Sequence, residues 1–153
     1  MLVRGINHFL FSVSNLEKSI EFYESVFEAN LLVKGETTAY FDLNGMWIAL
    51  NEEKGVPRKE IKESYTHIAF TIDDKDFEEV CTHLHQLNVD IIPGRLRAKE
   101  DKKSIYFQDP DGHKFEFHTG TLMDRIEHYK KTKPHMKFNE RAIKDLADTQ
   151  PGS

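Results

Sequence analysis

Short runs in which apolar and polar residues alternate make up most of this chain, and a few longer runs carry a helical period instead. Residues 5–13 put Phe9, Phe11 and Val13 on one face and His8, Leu10 and Ser12 on the other, the pattern of a half-buried strand. Leu16, Ile20, Tyr23 and Phe27 then recur at helical spacing behind Ser14 and Glu17, which stand at capping-box spacing, so a helix is expected to end near Asn30. Residues 31–34, 38–43 and 46–51 read as three strands, the last two joined by a turn at Asn44-Gly45. Residues 52–64 are charged, contain Pro57 and show no clean period, which predicts a linker.

After the linker the pattern starts again. Residues 65–72 form a strand with Tyr65, His67, Ala69 and Thr71 on one face, and Asp73 is placed to cap a helix with the stripe Phe77, Val80/Cys81, Leu84 and Leu87. A short strand at 89–92 and a loop at 94–103 lead to a hairpin over 104–118, turned by Asp109-Pro110-Asp111-Gly112. On its second strand Glu116 lies between Phe115 and Phe117, so the alternation that layers the two rings turns the carboxylate to the opposite face. A β-α-β-β-β order therefore occurs twice, predicting an α+β domain of two tandem modules, about residues 4–52 and 65–119. The copies match in order: His8 lies over His67, Tyr40 over Tyr106 and Ala49 over Glu116. Past the second copy, Thr121 and Asp124 can cap a short helix striped by Leu122, Ile126 and Tyr129 and stopped by Pro134. The single domain is expected to span 1–138, followed by a loose polar tail at 139–153 with at most a frayed turn around Ala142 to Leu146.

Composition narrows the chemistry. The 153 residues are 39% apolar and 11% aromatic, enough for one globular core. A net charge of -5 and a pI near 5.9 argue against a generic nucleic-acid or anionic-membrane surface. No apolar run approaches the ~20 residues of a membrane span, and no signal peptide is evident, so a cytoplasmic protein is expected. With Cys81 as the only cysteine there is no disulfide framework and no Cys-rich zinc site. A tight metal site must use His and carboxylate.

His8 and His67 supply the candidates. For either one alone, a hydrogen-bonded core histidine is the more frequent explanation. Two at the same repeat position and on the same strand face, joined by Glu116, make a set of two imidazoles and one carboxylate that fits a metal. The fourth related position, Ala49, cannot ligate, which leaves coordination positions for substrate or water. The alternation also turns Ser104, Tyr106, Tyr40, Trp47 and Asn51 toward this cleft, although Trp47 equally suits a core. Arg95 and Arg125 flank the Glu116 strand and suit a small dianion, whereas Lys99, Lys102 and Lys103 read as a solvated charge run. The remaining histidines, His118 among them, read as surface, cap or core residues, and Cys81 as a core residue of its helix.

With the repeat and the His, His, Glu set in hand, the chain resembles the vicinal oxygen chelate superfamily and, within it, the fosfomycin-resistance metallothiol transferases of the bacillithiol-using kind. GINHFLFSVSNLE, TAYFDLNGMWIALNEEK, SYTHIAFTID, SIYFQDPDGHKFEFHTGTL and YKKTKPHM carry the likeness, over about residues 1–138. DPDGH is common to the whole superfamily; SYTHIAF and WIALNEEK are more specific. The resemblance implies curved sheets around a metal cleft, with Mg2+ or Mn2+ on His8, His67 and Glu116, Glu116 being the catalytic residue of the set. It implies that Tyr40, Trp47, Asn51, Arg95, Ser104, Tyr106 and Arg125 surround fosfomycin, and Tyr65, on the His67 face, is expected to join them. It further implies a homodimer with shared sites, His8 coming from one chain and His67 with Glu116 from the other, and bacillithiol or L-cysteine as thiol co-substrate. Nucleic acid and membrane are not expected partners. The chain departs from its relatives at Ala98 and Glu100, at Leu10 where some have cysteine, and in its tail. A glyoxalase-like lyase or isomerase, an extradiol dioxygenase and a non-catalytic drug-binding dimer are the rival readings.

Overall fold

A computed structural model describes residues 2–94 and 102–149. The first module contains β1 (His8–Val13), α1 (Leu16–Phe27), β2 (Asn30–Lys34), β3 (Thr38–Leu43) and β4 (Met46–Glu52). The second contains β5 (His67–Thr71), a 3-10 turn (Asp74–Asp76) running into α3 (Phe77–Gln86), β6 (Asp90–Ile92), β7 (Ser104–Gln108) and β8 (Lys114–His118). Each module is a four-stranded sheet of the same order, β1-β4-β3-β2 and β5-β8-β7-β6. The outer strands β1 and β5 are parallel to their neighbours and the rest pair antiparallel.

The registers repeat as well. Leu10 pairs with Ala49, which pairs with Tyr40; Ala69 pairs with Glu116, which pairs with Tyr106. Ala49 and Glu116 are thus structural equivalents, as the sequence repeat implied.

One core serves both modules. The apolar faces of both sheets turn inward onto α1, so that Phe11, Phe41, Ile48, Leu50, Phe107, Phe115 and Phe117 belong to a single buried cluster. Tyr23 and Phe27 on α1 join the halves: Tyr23 packs on Phe11 and Phe41 of one sheet and Phe115 of the other, and Phe27 touches Phe70, Phe107, Phe115 and Phe117. Each fully buried ring contributes about 1.5–3 kcal/mol relative to exposure. Because side chains alternate along a strand, the faces carrying His8 and His67 point away from this core.

The Asp109–Gly112 turn locks the modules together. Asp109 Oδ1 accepts from the backbone N–H groups of Asp111 and His113, both at 2.9 Å, and Oδ2 accepts from the Tyr23 hydroxyl at 3.0 Å. Burial pushes the Asp109 carboxyl above its usual range and, with the carboxylate beside it, pushes the Tyr23 phenol well above its own. Asp111 accepts from the Ser14 backbone at 3.0 Å and pairs with Arg58, whose guanidinium also donates to the Ser12 carbonyl at 2.8 Å. Gly112 has φ +93, a conformation that glycine adopts without strain.

Several local expectations shift. Ser14 does not cap α1; its N–H is held by Asp111, and Asn15 caps instead, accepting from Lys18 N at 3.0 Å. Asp73 makes no side-chain cap, since a 3-10 turn intervenes before α3. The linker holds a short helix, α2 (Lys59–Glu63), whose end carbonyls at Ile61 and Lys62 are taken by Lys114 Nζ. The helix capped by Thr121 and Asp124 is α4 (Leu122–Thr132), with both halves of its capping box formed. The tail expected to be loose carries a ten-residue helix, α5 (Glu140–Thr149), tied to α4 through Lys130 and Glu140 at 2.7 Å.

Candidate metal centre

The second module brings Tyr65, His67, Ser104, Tyr106 and Glu116 together. His67 opens β5, two residues before Ala69, the strand neighbour of Glu116; Tyr106 flanks Glu116 on the other side. The carboxylate is buried, with 8% of its side chain exposed, deep enough to strengthen every charge interaction around it. His67 Nδ1 lies 2.8 Å from the Tyr65 carbonyl, which can only accept, so the ring donates from Nδ1 and the neutral ring keeps its lone pair on Nε2. That lone pair faces Glu116 Oε2 at 3.2 Å. Two acceptors so placed repel one another unless a proton or a metal cation joins them. Two neighbouring ligands of an octahedral ion with bonds near ~2.1 Å stand about 3 Å apart, the spacing present here. Tyr65 and Tyr106 pack their rings against His67 at centroid distances of 4.9 and 5.5 Å.

The first module holds His8, Tyr40, Trp47 and Asn51. His8 is exposed; its Nδ1 donates to Asn7 Oδ1 at 2.6 Å, again leaving Nε2 available, and its ring lies on Trp47 at 4.3 Å. Tyr40 also meets Trp47, edge-on at 5.3 Å, and the Asn51 side-chain oxygen accepts from Thr38 at 3.3 Å. Both histidines are therefore oriented alike, by an oxygen on Nδ1, at equivalent positions of equivalent strands.

One chain does not join these halves: among the described residues, no group of three His, Cys, Asp or Glu side chains lies together so as to hold an ion. Arg125 sits in the first turn of α4, its guanidinium 5.5 Å from the Tyr129 ring. Arg95 lies outside the described residues, as do Ala98 and Glu100.

His118, read from the sequence as a surface, cap or core residue, belongs to the second cluster. Its Nδ1 is 2.6 Å from Ser104 Oγ and 3.4 Å from Glu116 Oε1, and Ser104 Oγ donates to that same oxygen at 2.5 Å. The sequence signal was available in the alternation: Glu116 and His118 are two apart on one strand and so share a face.

Residues 5–117 match the model of the family described as the Glyoxalase/Bleomycin resistance protein/Dioxygenase superfamily. The metallothiol transferase FosB of Lysinibacillus sphaericus (strain C3-41) is 65% identical over 138 residues, covering 90% of this chain and 98% of the relative. Its counterpart from Staphylococcus saprophyticus is 58% identical over 147 residues, covering 96% of this chain and 97% of that protein. Among solved structures, the fosfomycin resistance protein FosX of Listeria monocytogenes superposes with a TM-score of 0.74 at 30% identity, covering 84% of this chain and 100% of that one. A mutant of FosX complexed with Mn(II) and 1S,2S-dihydroxypropylphosphonic acid matches with the same TM-score of 0.74 at 32% identity, covering 84% of this chain and 99% of that one.

Proposed function

The chain belongs to the glyoxalase/bleomycin resistance protein/dioxygenase superfamily, and we propose that it works as a homodimer whose two sites each take His8 from one protomer and His67 with Glu116 from its partner. It is a fosfomycin-resistance thiol transferase that uses a metal and a thiol. The metal is Mg2+ or Mn2+, and the thiol is bacillithiol or L-cysteine. The observation that carries this reading is the His67 Nε2 lone pair set 3.2 Å from the buried Glu116 carboxylate, matched by a His8 ring oriented the same way on the other module. Nitrogen and carboxylate donors without thiolate suit these hard or borderline ions, and Mn(II) is bound in the FosX complex.

His8, His67 and Glu116 would hold the ion, which would supply Lewis acidity toward an oxirane oxygen. The protein's part is to bind and orient. Arg125 and Arg95 carry the charge to neutralise a phosphonate dianion, and Tyr106 adds a hydroxyl donor at the edge of the Glu116 strand. Trp47, Tyr40 and Asn51 supply the opposite wall, and Tyr65 closes the His67 side. The incoming sulfur, as thiolate, forms a bond to carbon from the face opposite the breaking C–O bond, and the released oxygen takes a proton from water, replacing the one the thiol gave up on ionising. A free thiol with an ordinary pKa near ~8.5 is a few per cent ionised at neutral pH, so the reaction can start from thiolate in solution.

Mass spectrometry of fosfomycin incubated with protein, Mn2+ or Mg2+ and each thiol tests this. A metal-dependent adduct of fosfomycin and thiol formed over many turnovers and abolished by a chelator is the expected result. Stoichiometric retention of unmodified fosfomycin would point to a drug-binding dimer, and a product lacking sulfur would overturn the thiol assignment.

A further inference from the structure

We infer that Ser104 and His118 are positioning residues that clamp Oε1 of Glu116 and thereby aim Oε2 at the metal, so that Ser104 serves the metal rather than the substrate. The inference rests on the metal reading above and assigns its second layer of residues.

Proton counting fixes the direction of the network. A carboxylate only accepts, so the single proton of the Ser104 hydroxyl goes to Glu116 Oε1 at 2.5 Å. Ser104 Oγ can then only accept from His118 Nδ1, 2.6 Å away, which makes that ring a Nδ1–H tautomer. The same ring nitrogen lies 3.4 Å from Oε1, so the hydroxyl and the imidazole both load one oxygen of the carboxylate. The other oxygen is left toward His67 Nε2.

The three side chains are packed into adjacent strands. Ser104 pairs directly with His118 across β7 and β8, and the exposed fractions of the His118 and Glu116 side chains are only 18% and 8%. The first module carries Thr38 and Asn51 at the equivalent registered pair, bonded at 3.3 Å, beside Ala49 where there is no carboxylate to orient. Asparagine is therefore a side chain this framework already accepts at the position of His118, and its amide N–H can replace Nδ1–H.

The test is Mn2+ affinity, measured by electron paramagnetic resonance without thiol or fosfomycin, for the wild-type dimer and for Glu116→Ala, Ser104→Ala, His118→Phe and His118→Asn. Loss of an orienting partner of this kind weakens metal binding by about 10–100-fold, the result expected for Ser104→Ala and His118→Phe, with His118→Asn close to wild type. Saturating Mn2+ should then restore kcat in Ser104→Ala with little change in KM for fosfomycin. Wild-type Mn2+ affinity in Ser104→Ala, combined with a raised KM for fosfomycin at saturating metal, would overturn the inference and make Ser104 a substrate contact. Glu116→Ala keeps the two failures apart: wild-type affinity in that variant refutes the metal reading itself, whereas loss in Glu116→Ala alone refutes only the clamp. If His118→Phe does not fold, Ser104→Ala, which removes one oxygen atom, decides the matter.

Discussion

Two inactive variants of this chain should rescue each other. In His8→Ala the lost ring is exposed, bonded to neighbouring Asn7 and lying on the exposed Trp47, so the fold is expected to stand; in Glu116→Ala the Ser104 and His118 donors turn to water. If the sites are shared across a dimer as proposed, each variant alone loses one ligand from both of them. In a heterodimer the two lesions fall together in one site and the second site is intact, because His8 there comes from the Glu116→Ala chain and Glu116 from the His8→Ala chain. Coexpression with two affinity tags isolates that heterodimer, and its adduct-forming rate with Mn2+ should be about half that of wild type, one closed two-fold assembly having two equivalent sites. An unsorted equal mixture, in which about half the dimers are mixed, should give about a quarter. Parental levels in purified heterodimer, with melting curves showing both chains folded, would refute the division of the site between chains.

Other perturbations test the frame. Tyr23→Phe removes the hydroxyl that serves the buried Asp109 carboxylate and should cost about 1–3 kcal/mol in chemical denaturation, with specific activity retained. Gly112→Ala forces a side chain into a φ of +93 with its Cβ 2.7 Å from Lys62 Cγ, and should cost about 1–3 kcal/mol, read as a lowered denaturation midpoint. Hydrogen bonds from Thr121 hold the Asp124 carboxyl below its ordinary range, so its contribution is complete above the unfolded pKa near ~4 and fades as pH falls through the lower folded value. The stability gap between wild type and Asp124→Asn, followed by thermal melting, should accordingly narrow as pH falls from about 6 to about 3.

The repeat was legible because strand alternation is strict, but carrying Ala49 onto Glu116 also took the match of Tyr40 with Tyr106 and an allowance of one residue more in the Asp109–Gly112 turn, an alignment with which the strand registers agree. Ligand orientation was not legible, since the Tyr65 carbonyl and the Asn7 amide that hold the rings leave no periodic mark. Arg58 shows why the linker misled. Its neighbours are charged and solvated, yet its own guanidinium reaches back to Ser12 and Asp111 with 10% of the side chain exposed, a long-range bond that no local pattern announces. Ser14 failed as a cap for a related reason, its N–H being taken by a residue 97 positions away. His118 was passed over because it has no histidine at the matching position of the other module, Asn51 standing there, whereas its meaning lies in sharing a face with Glu116. In the tail, Ile143 and Leu146 are half-buried in α5, a stripe too short to stand out against the polar run around it.

The aromatic seam formed by Tyr23 and Phe27 bears on how the chain is made. While the ribosome has delivered only the first module, the side of α1 destined for Phe70, Phe107, Phe115 and Phe117 is bare, and the Tyr23 hydroxyl still lacks Asp109. The duplicated halves share one interior, so they are expected to fold as a unit. Synthesis must reach β8 before either half has a complete interior, and denaturant should melt both in one transition.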